Sequence, residues 1–331
     1  MRFWAAEFFL VAGLCSAALA AEPLPGYGAD VSAFTVSGVS SGGYMAVQVH
    51  VAHSSRVAGV GALAAGPYYC AQGSLWTAMN HCMTPGAWTP LPSTEILQSH
   101  TERFARERLI DPTENLAKAR VWLFSGSQDR TVQPAVVQGL GRFYSLYKTN
   151  PLTVDKPAGH AMVTENAGNA CGATEPPFIN DCDYDAAGEL LRHLLGSLSP
   201  PAAKGLGRLL AFDQGEFGAA RSISMADTGY VYVPRACDTQ PCKVHVAFHG
   251  CRQGIEQVGE RFVRNAGYNR WADANRLIVL YPQAIARYAW WVWNPRGCWD
   301  WWGYTGARYA TKEGAQIRAV LGMVERLGAA R

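Results

Sequence analysis

Residues 31–53 read VSAFTVSGVSSGGYMAVQVHVAH, and their reading decides the fold. Val31 to Val39 has the apolar make-up of a buried strand, and Gly42 to His53 is an Ala- and Val-rich helical stretch. Between them stands Gly38-Val39-Ser40-Ser41-Gly42, a G-x-S-x-G pentapeptide. The bare pattern is common by chance, and a plain Gly/Ser turn would satisfy it. Its place between a strand and a helix says more. A serine on so tight a turn is pushed into a strained, exposed conformation, and flanking glycines leave room for it. The N–H of the next residue, Ser41, points into the same space and can stabilise an oxyanion. Ser40 is therefore the candidate nucleophile.

A hydroxyl is a weak nucleophile at neutral pH, so a base must take its proton and a carboxylate must orient that base. Val121 to Phe124 is an apolar strand running into Ser125-Gly126-Ser127-Gln128-Asp129, which puts Asp129 at a strand end 89 residues after Ser40. Asp111 and Asp155 are rivals that follow no strand so cleanly, and a turn or cap aspartate is the plain alternative. His160 lies 31 residues further on, in the small-residue loop Ala158-Gly159-His160-Ala161 after a short strand near Leu152 to Val154. A solvated loop histidine is the plain alternative there. His50, His53 and His193 fall on expected helices, His245 lies within a strand, and His81 and His100 precede no matching turn.

The second half of the chain supplies another strand, Val244 to Phe248, followed at once by His249-Gly250-Cys251. A strand ending in His-Gly is how many esterases place a second oxyanion donor, a backbone N–H. A Gly turn beside a core histidine would look the same. In ordinary α/β-hydrolases this element precedes the nucleophile, whereas here Cys251 comes 211 residues after Ser40. Circular permutation reconciles the two orders. Further strands at Tyr230 to Val233 and Leu277 to Tyr281 alternate with helices, the last from Thr311 to Leu327. The pattern predicts a circularly permuted α/β-hydrolase fold, a mainly parallel sheet with helices on both faces. Residues 66–93, rich in Gly, Pro and Trp with two Cys, read as a disulfide-pinned insertion or lid. Residues 199–205 read as a linker between two domains or between two halves of one sheet.

Composition sets the frame. Of 331 residues 49% are hydrophobic and 17% charged, with a net charge of +3 and no basic run. Nothing here favours nucleic acid or an anionic membrane as partner, and a monomer is expected. Residues 1–21 have the basic start, apolar stretch and Ala18-Leu19-Ala20 cleavage pattern of a signal peptide. The remaining 22–331 are read as a single catalytic domain of a secreted protein. Eight cysteines follow the leader, an even number suited to an oxidising compartment. Cys70/Cys82, Cys171/Cys182 and Cys237/Cys242 are close in sequence; that leaves Cys251 and Cys298, a pairing sequence alone does not prove. No CxxC pair or neighbouring histidine supports zinc. No metal or organic cofactor is expected.

Gly38 to Met45, His249-Gly250-Cys251 and Cys298-Trp299-Asp300-Trp301-Trp302-Gly303-Tyr304 together resemble extracellular poly(3-hydroxybutyrate) depolymerases, especially the single-domain, circularly permuted type. The likeness runs from about Asp30 to Leu327, and the tryptophan-rich motif is its most specific part. The resemblance implies Ser40 as nucleophile, Asp129 and His160 completing a triad, and the N–H groups of Ser41 and Cys251 as oxyanion donors. It also implies a disulfide at Cys251, with Cys298 as candidate partner. Many bacterial relatives add a linker and a polymer-binding domain, neither of which is expected here. The implied reaction is acyl transfer from a polyester or oligoester to water.

Six of the tryptophans cluster at Trp290, Trp291, Trp293, Trp299, Trp301 and Trp302. They read either as aromatic core or as the wall of an apolar cleft for a methyl-bearing chain, with Trp299, Trp301 and Trp302 as candidate substrate contacts. Two other functions fit the sequence. One is a carbohydrate-ester or feruloyl esterase with the same triad, and the other an inactive secreted polymer binder on the same scaffold.

Overall fold

Long apolar runs form the strands because both faces of the sheet are covered. The computed structural model describes residues 21–218, 221–289 and 292–331, so the expected leader, apart from Ala21, and Trp290 and Trp291 lie outside the described residues. The main sheet comprises β1 (Asp30–Val39), β2 (Val57–Leu63), β3 (Arg120–Gly126), β4 (Leu152–Lys156), β5 (Arg208–Asp213), β6 (Thr228–Val233), β7 (Lys243–Phe248) and β8 (Leu277–Tyr281). Their spatial order is β4-β3-β2-β1-β7-β8-β6-β5. Neighbours are parallel except β6, which runs against both β8 and β5. Counted from β5 and continued through the chain end, the order becomes 1-2-4-3-5-6-7-8 with the second strand reversed. That is the α/β-hydrolase sheet, entered at its fifth strand.

The alternation of the strands sorts side chains between two cores. On β3, Val121 and Leu123 face the helices Ser41–Ala52, Thr94–Arg106, Pro134–Ser145 and Ala315–Gly328. Trp122 and Phe124 face the helices Ala186–Leu195 and Tyr268–Asn275. Burying such rings contributes roughly 2–3 kcal/mol apiece.

The place where the chain is cut is visible. The N–H groups of Tyr27 and Ala29 both donate to Leu327 O at 3.0 Å, and Gly28 N–H donates to Ala329 O at 2.9 Å. Residues 27–29 thus meet residues 327–329 where the last helix would otherwise lead into β1. The segment 199–205 takes up the opposite duty. It is pinned along its course by Ala202 N–H to Arg270 O at 2.9 Å and Ser199 N–H to Asn275 Oδ1 at 2.7 Å. It leads into β5 of the same sheet.

Local boundaries differ from the sequence reading for identifiable reasons. The helix Thr94–Arg106 ends just before Arg108, which turns with φ +59°. The last helix begins at Ala315 rather than Thr311, because residues 311–314 form a turn closed by Gly314 N–H to Thr311 O. Residues 66–93 hold one short helix, Leu75–His81, whose N-terminus is capped by Ser74 Oγ accepting from Thr77 N–H at 3.2 Å. The Cys70–Cys82 disulfide joins the chain before that helix to its C-terminal end.

Candidate active site

β1 ends at Val39, and the chain reverses at once into the helix starting at Ser41. Ser40 occupies the corner with φ +58° and ψ −125°, a region costly for a non-glycine residue, as a nucleophile elbow requires. Its N–H donates to Leu63 O on β2 at 2.9 Å, which holds the corner down. The glycines allow this close packing. A Cβ on Gly38 would lie 2.3 Å from Gly42 C and O. A Cβ on Gly42 would lie 2.4 Å from the carbonyl oxygens of Phe248 and His249, at the end of β7. Gly42 therefore sets how close the helix after Ser40 comes to the second-half strand.

Asp129 follows β3 through a turn closed by its own N–H to Gly126 O at 3.0 Å. One carboxylate oxygen, Oδ1, accepts from the N–H groups of Thr131 and Val132 at 2.7 and 2.9 Å. The other, Oδ2, is 2.6 Å from His160 Nδ1. This bond orients the His160 ring and leaves Nε2 on the side away from Asp129. His160 follows β4, and its N–H donates to Thr174 Oγ1 at 3.0 Å. Asp129 is buried, while His160 and Ser40 each keep 8% of their surface exposed, on the same cavity. No hydrogen bond joins Ser40 Oγ to His160 Nε2 in this arrangement; such contacts often tighten only when substrate arrives.

The two halves of the chain meet on this cavity because β1 and β7 are neighbours, Gly38 opposite Phe248. A Cβ on Gly250 would come within 3.4 Å of Ser40 Cβ, and Cys251 lines the cavity with Ser40. Ser41 opens its helix and Cys251 sits in a turn, and among the described residues neither N–H donates to a protein acceptor. Two free amides beside a serine hydroxyl are the arrangement that stabilising an oxyanion requires.

Residues 298–299 bind both Cys251 and Ser41. Cys298 is disulfide-bonded to Cys251, and Trp299 N–H donates to Ser41 Oγ at 3.3 Å. The Cys70–Cys82, Cys171–Cys182 and Cys237–Cys242 bonds are also present. Trp299 itself does not reach the cleft. Its ring is wholly buried against Phe248 and His249, which corrects its reading as a substrate contact. Trp301 and Trp302 do border the site, on an apolar groove of about 260 Å³ shared with Leu75, Met79, Met83 and Trp293. Trp301 stacks on Tyr44 of the helix after Ser40, centroids 4.0 Å apart.

Three contributors were not read from the sequence. Asp300 is buried and accepts from the N–H groups of Gly303, Tyr304 and Thr305 at 2.7, 3.0 and 2.8 Å, which shapes the tryptophan loop. Burial pushes its carboxyl above the ordinary range. His249 is fully buried; its Nε2 accepts from Ala284 N–H at 3.0 Å, so Nδ1 carries the proton and donates to Gly250 O at 2.7 Å. Burial lowers its pKa to about 4. Gln253 Oε1 accepts from Gly250 N–H at 2.7 Å. His-Gly followed by a glutamine was the available signal. Among the described residues no cluster of His, Cys, Asp or Glu could hold a metal ion, and no helix is long and apolar enough to cross a membrane.

No family model matches the chain. It is 44% identical over 93% of its length to a poly(3-hydroxybutyrate) depolymerase of Delftia acidovorans, but spans only 62% of that protein. It is 37% identical to a polyhydroxybutyrate depolymerase of Talaromyces funiculosus, with 95% of each chain covered. Among solved structures, a PHB depolymerase from Penicillium funiculosum matches with TM-score 0.84 at 35% identity, covering 92% of this chain and 98% of that one. A PHB depolymerase complexed with an R3HB trimer matches equally well.

Proposed function

Because this chain belongs to the poly(3-hydroxybutyrate) depolymerase family, we propose that it is an exported serine esterase that hydrolyses poly(3-hydroxybutyrate) or its oligomers. The observation that carries this reading is the His160–Asp129 hydrogen bond opening on the cavity that Ser40 shares with Cys251. Ser40 Oγ attacks the ester carbonyl while His160 Nε2 accepts its proton, and Asp129 keeps the imidazole oriented and supports its positive charge. The N–H groups of Ser41 and Cys251 stabilise the tetrahedral oxyanion, each such donor contributing about 3–4 kcal/mol to the barrier reduction. His160 then protonates the leaving alcohol, and water releases the hydroxyacid from Ser40 by the same steps in reverse.

Four disulfides support export to an oxidising compartment. The groove between Trp301, Trp302 and Met83 offers apolar walls with few polar anchors, which suits a methyl-bearing polyester. At its mouth Leu75, Met79 and Trp293 are exposed, apolar surface that favours a solid or oligomeric ester over a sugar. We take a monomer as the working unit.

The test is an assay on amorphous polymer, crystalline polymer and soluble oligomers beside Ser40→Ala. Release of 3-hydroxybutyrate units by the parent and not by folded Ser40→Ala supports the proposal. Release of acetate or ferulate from xylan, with none from the polyester, would replace it with a carbohydrate esterase. Absence of a phosphonate adduct on Ser40 in folded protein would make the chain a binder.

A further inference from the structure

Two arginines remain on the rim once the nucleophile, base and amides have been assigned. Arg252 follows Cys251 directly, and its N–H donates to Arg296 O at 2.7 Å, so the two backbones lie side by side. Both residues line the cavity that holds Ser40 and His160, and both line the groove beyond it with Pro176, Gln257 and Tyr288. Both are exposed. Other arginines divide between paired ones, such as Arg221 with Asp227 and Arg264 with Glu260, and ones without a carboxylate partner among the described residues. Among the described residues neither Arg252 nor Arg296 has a carboxylate within ion-pair reach, and neither guanidinium donates to a protein acceptor. No Asp or Glu lines the cavity or the adjoining groove.

A neutral ester backbone gives a pair of guanidinium groups little to bind. The free end of a hydroxyacid chain gives them a carboxylate, whose two oxygens match the planar fork of arginine. Chain direction fixes where that carboxylate lies. In a polymer of hydroxyacids the alcohol side of every ester leads toward the acid end. When Ser40 Oγ bonds to the acyl carbon, the acyl carbon–alkoxy oxygen bond breaks and the alkoxide takes the proton held by His160. The departing fragment is then a hydroxyacid carrying the terminal carboxylate. We propose that Arg252 and Arg296 form a carboxylate site for that leaving fragment and direct cleavage to ester bonds near the acid end of oligomers. The inference rests on the polyester reading above and names the end of the chain that this cleft prefers.

The experiment compares a 3-hydroxybutyrate trimer as free acid with its methyl ester. Parent protein is expected to favour the acid by about five- to tenfold in kcat/KM, chiefly through KM. Raising NaCl from 0.05 to about 0.5 M should erode that preference, since exposed charges are screened over about 10 Å at 0.1 M salt. In the double variant R252Q/R296Q the acid-to-ester ratio should fall to near one. A parent that treats both substrates alike, a preference indifferent to salt, or a double variant that loses both activities in equal proportion would overturn the inference. The salt series needs no variant and stands even if the variant misfolds. A parent that cleaves p-nitrophenyl butyrate but neither trimer would overturn the polyester reading, and this inference with it. A parent that cleaves both trimers equally overturns the arginine site alone.

Discussion

The Nδ1–H of His249 donates to the carbonyl oxygen of Gly250 at 2.7 Å, and that bond aims an amide it does not touch. Gly250 O and Cys251 N–H belong to one planar trans peptide, so holding the carbonyl inward turns the N–H outward, toward Ser40. His249→Ala should lower kcat about 10- to 100-fold with little change in KM, since the donor matters most once negative charge develops. Steady-state kinetics on a soluble ester, with folding checked by circular dichroism, would show it. An unchanged kcat would mean the peptide is held without the imidazole.

Gly42→Ala tests the approach of the two halves. Its methyl group would meet the backbone carbonyls of Phe248 and His249, and backbone cannot rotate away as a side chain can. We expect a stability loss of about 1–3 kcal/mol and a fall in kcat/KM of about 100-fold, as the Ser41 and Cys251 amides are forced apart. Wild-type turnover in this variant would show that the spacing is not critical.

The Cys251–Cys298 bond can be separated from the donor it steadies. The double variant C251A/C298A keeps the N–H of residue 251 but frees residues 298–299 from it. Denaturant unfolding should show a loss of about 2–4 kcal/mol, and kcat a drop of about tenfold. Full activity together with the stability loss would limit the disulfide to a structural part.

Four histidines make stability depend on pH. Burial lowers His50 and His245 to about 3, and His53 and His249 to about 4. Their folded values lie below those of the unfolded chain, so the unfolded state binds more protons between about pH 4 and 6.5. Stability is therefore complete above pH 6.5 and declines as pH falls toward 4. The three wholly buried rings together give a loss on the order of 3 kcal/mol between pH 6 and 5. Asp300, held above the usual carboxyl range by burial, opposes this at the lower end. Urea midpoints that stay level from pH 7 to 4.5 would contradict the assignment.

What the sequence made legible was local or periodic. The apolar runs of β1, β2, β3, β7 and β8 announce strands, and a serine, an aspartate and a histidine at successive strand ends need only one parallel sheet to be gathered. β5 was missed because Arg208 to Asp213 is a half-exposed edge strand whose composition resembles its flanking linker. The short strands Met162–Thr164, Asn169–Ala170 and Ile179–Asp181 were missed because two or three residues carry no period; side-chain bonds from Asn180 to Cys171 O and Ala173 O hold them together. The three tryptophans of the 298–304 motif look alike in the sequence. Only packing separates Trp299, buried against Phe248 and His249, from Trp301 and Trp302 on the groove.

The hydrogen bonds from Tyr27, Gly28 and Ala29 to Leu327 and Ala329 put the start and finish of the fold at the root of β1, while Ser40 stands at its tip. Ten extended residues separate root from tip, roughly 30 Å of protein. A tether joined beside Tyr27 or Ala329 would therefore hold the molecule by its base and leave the cutting mouth facing away from the support, free to graze a film.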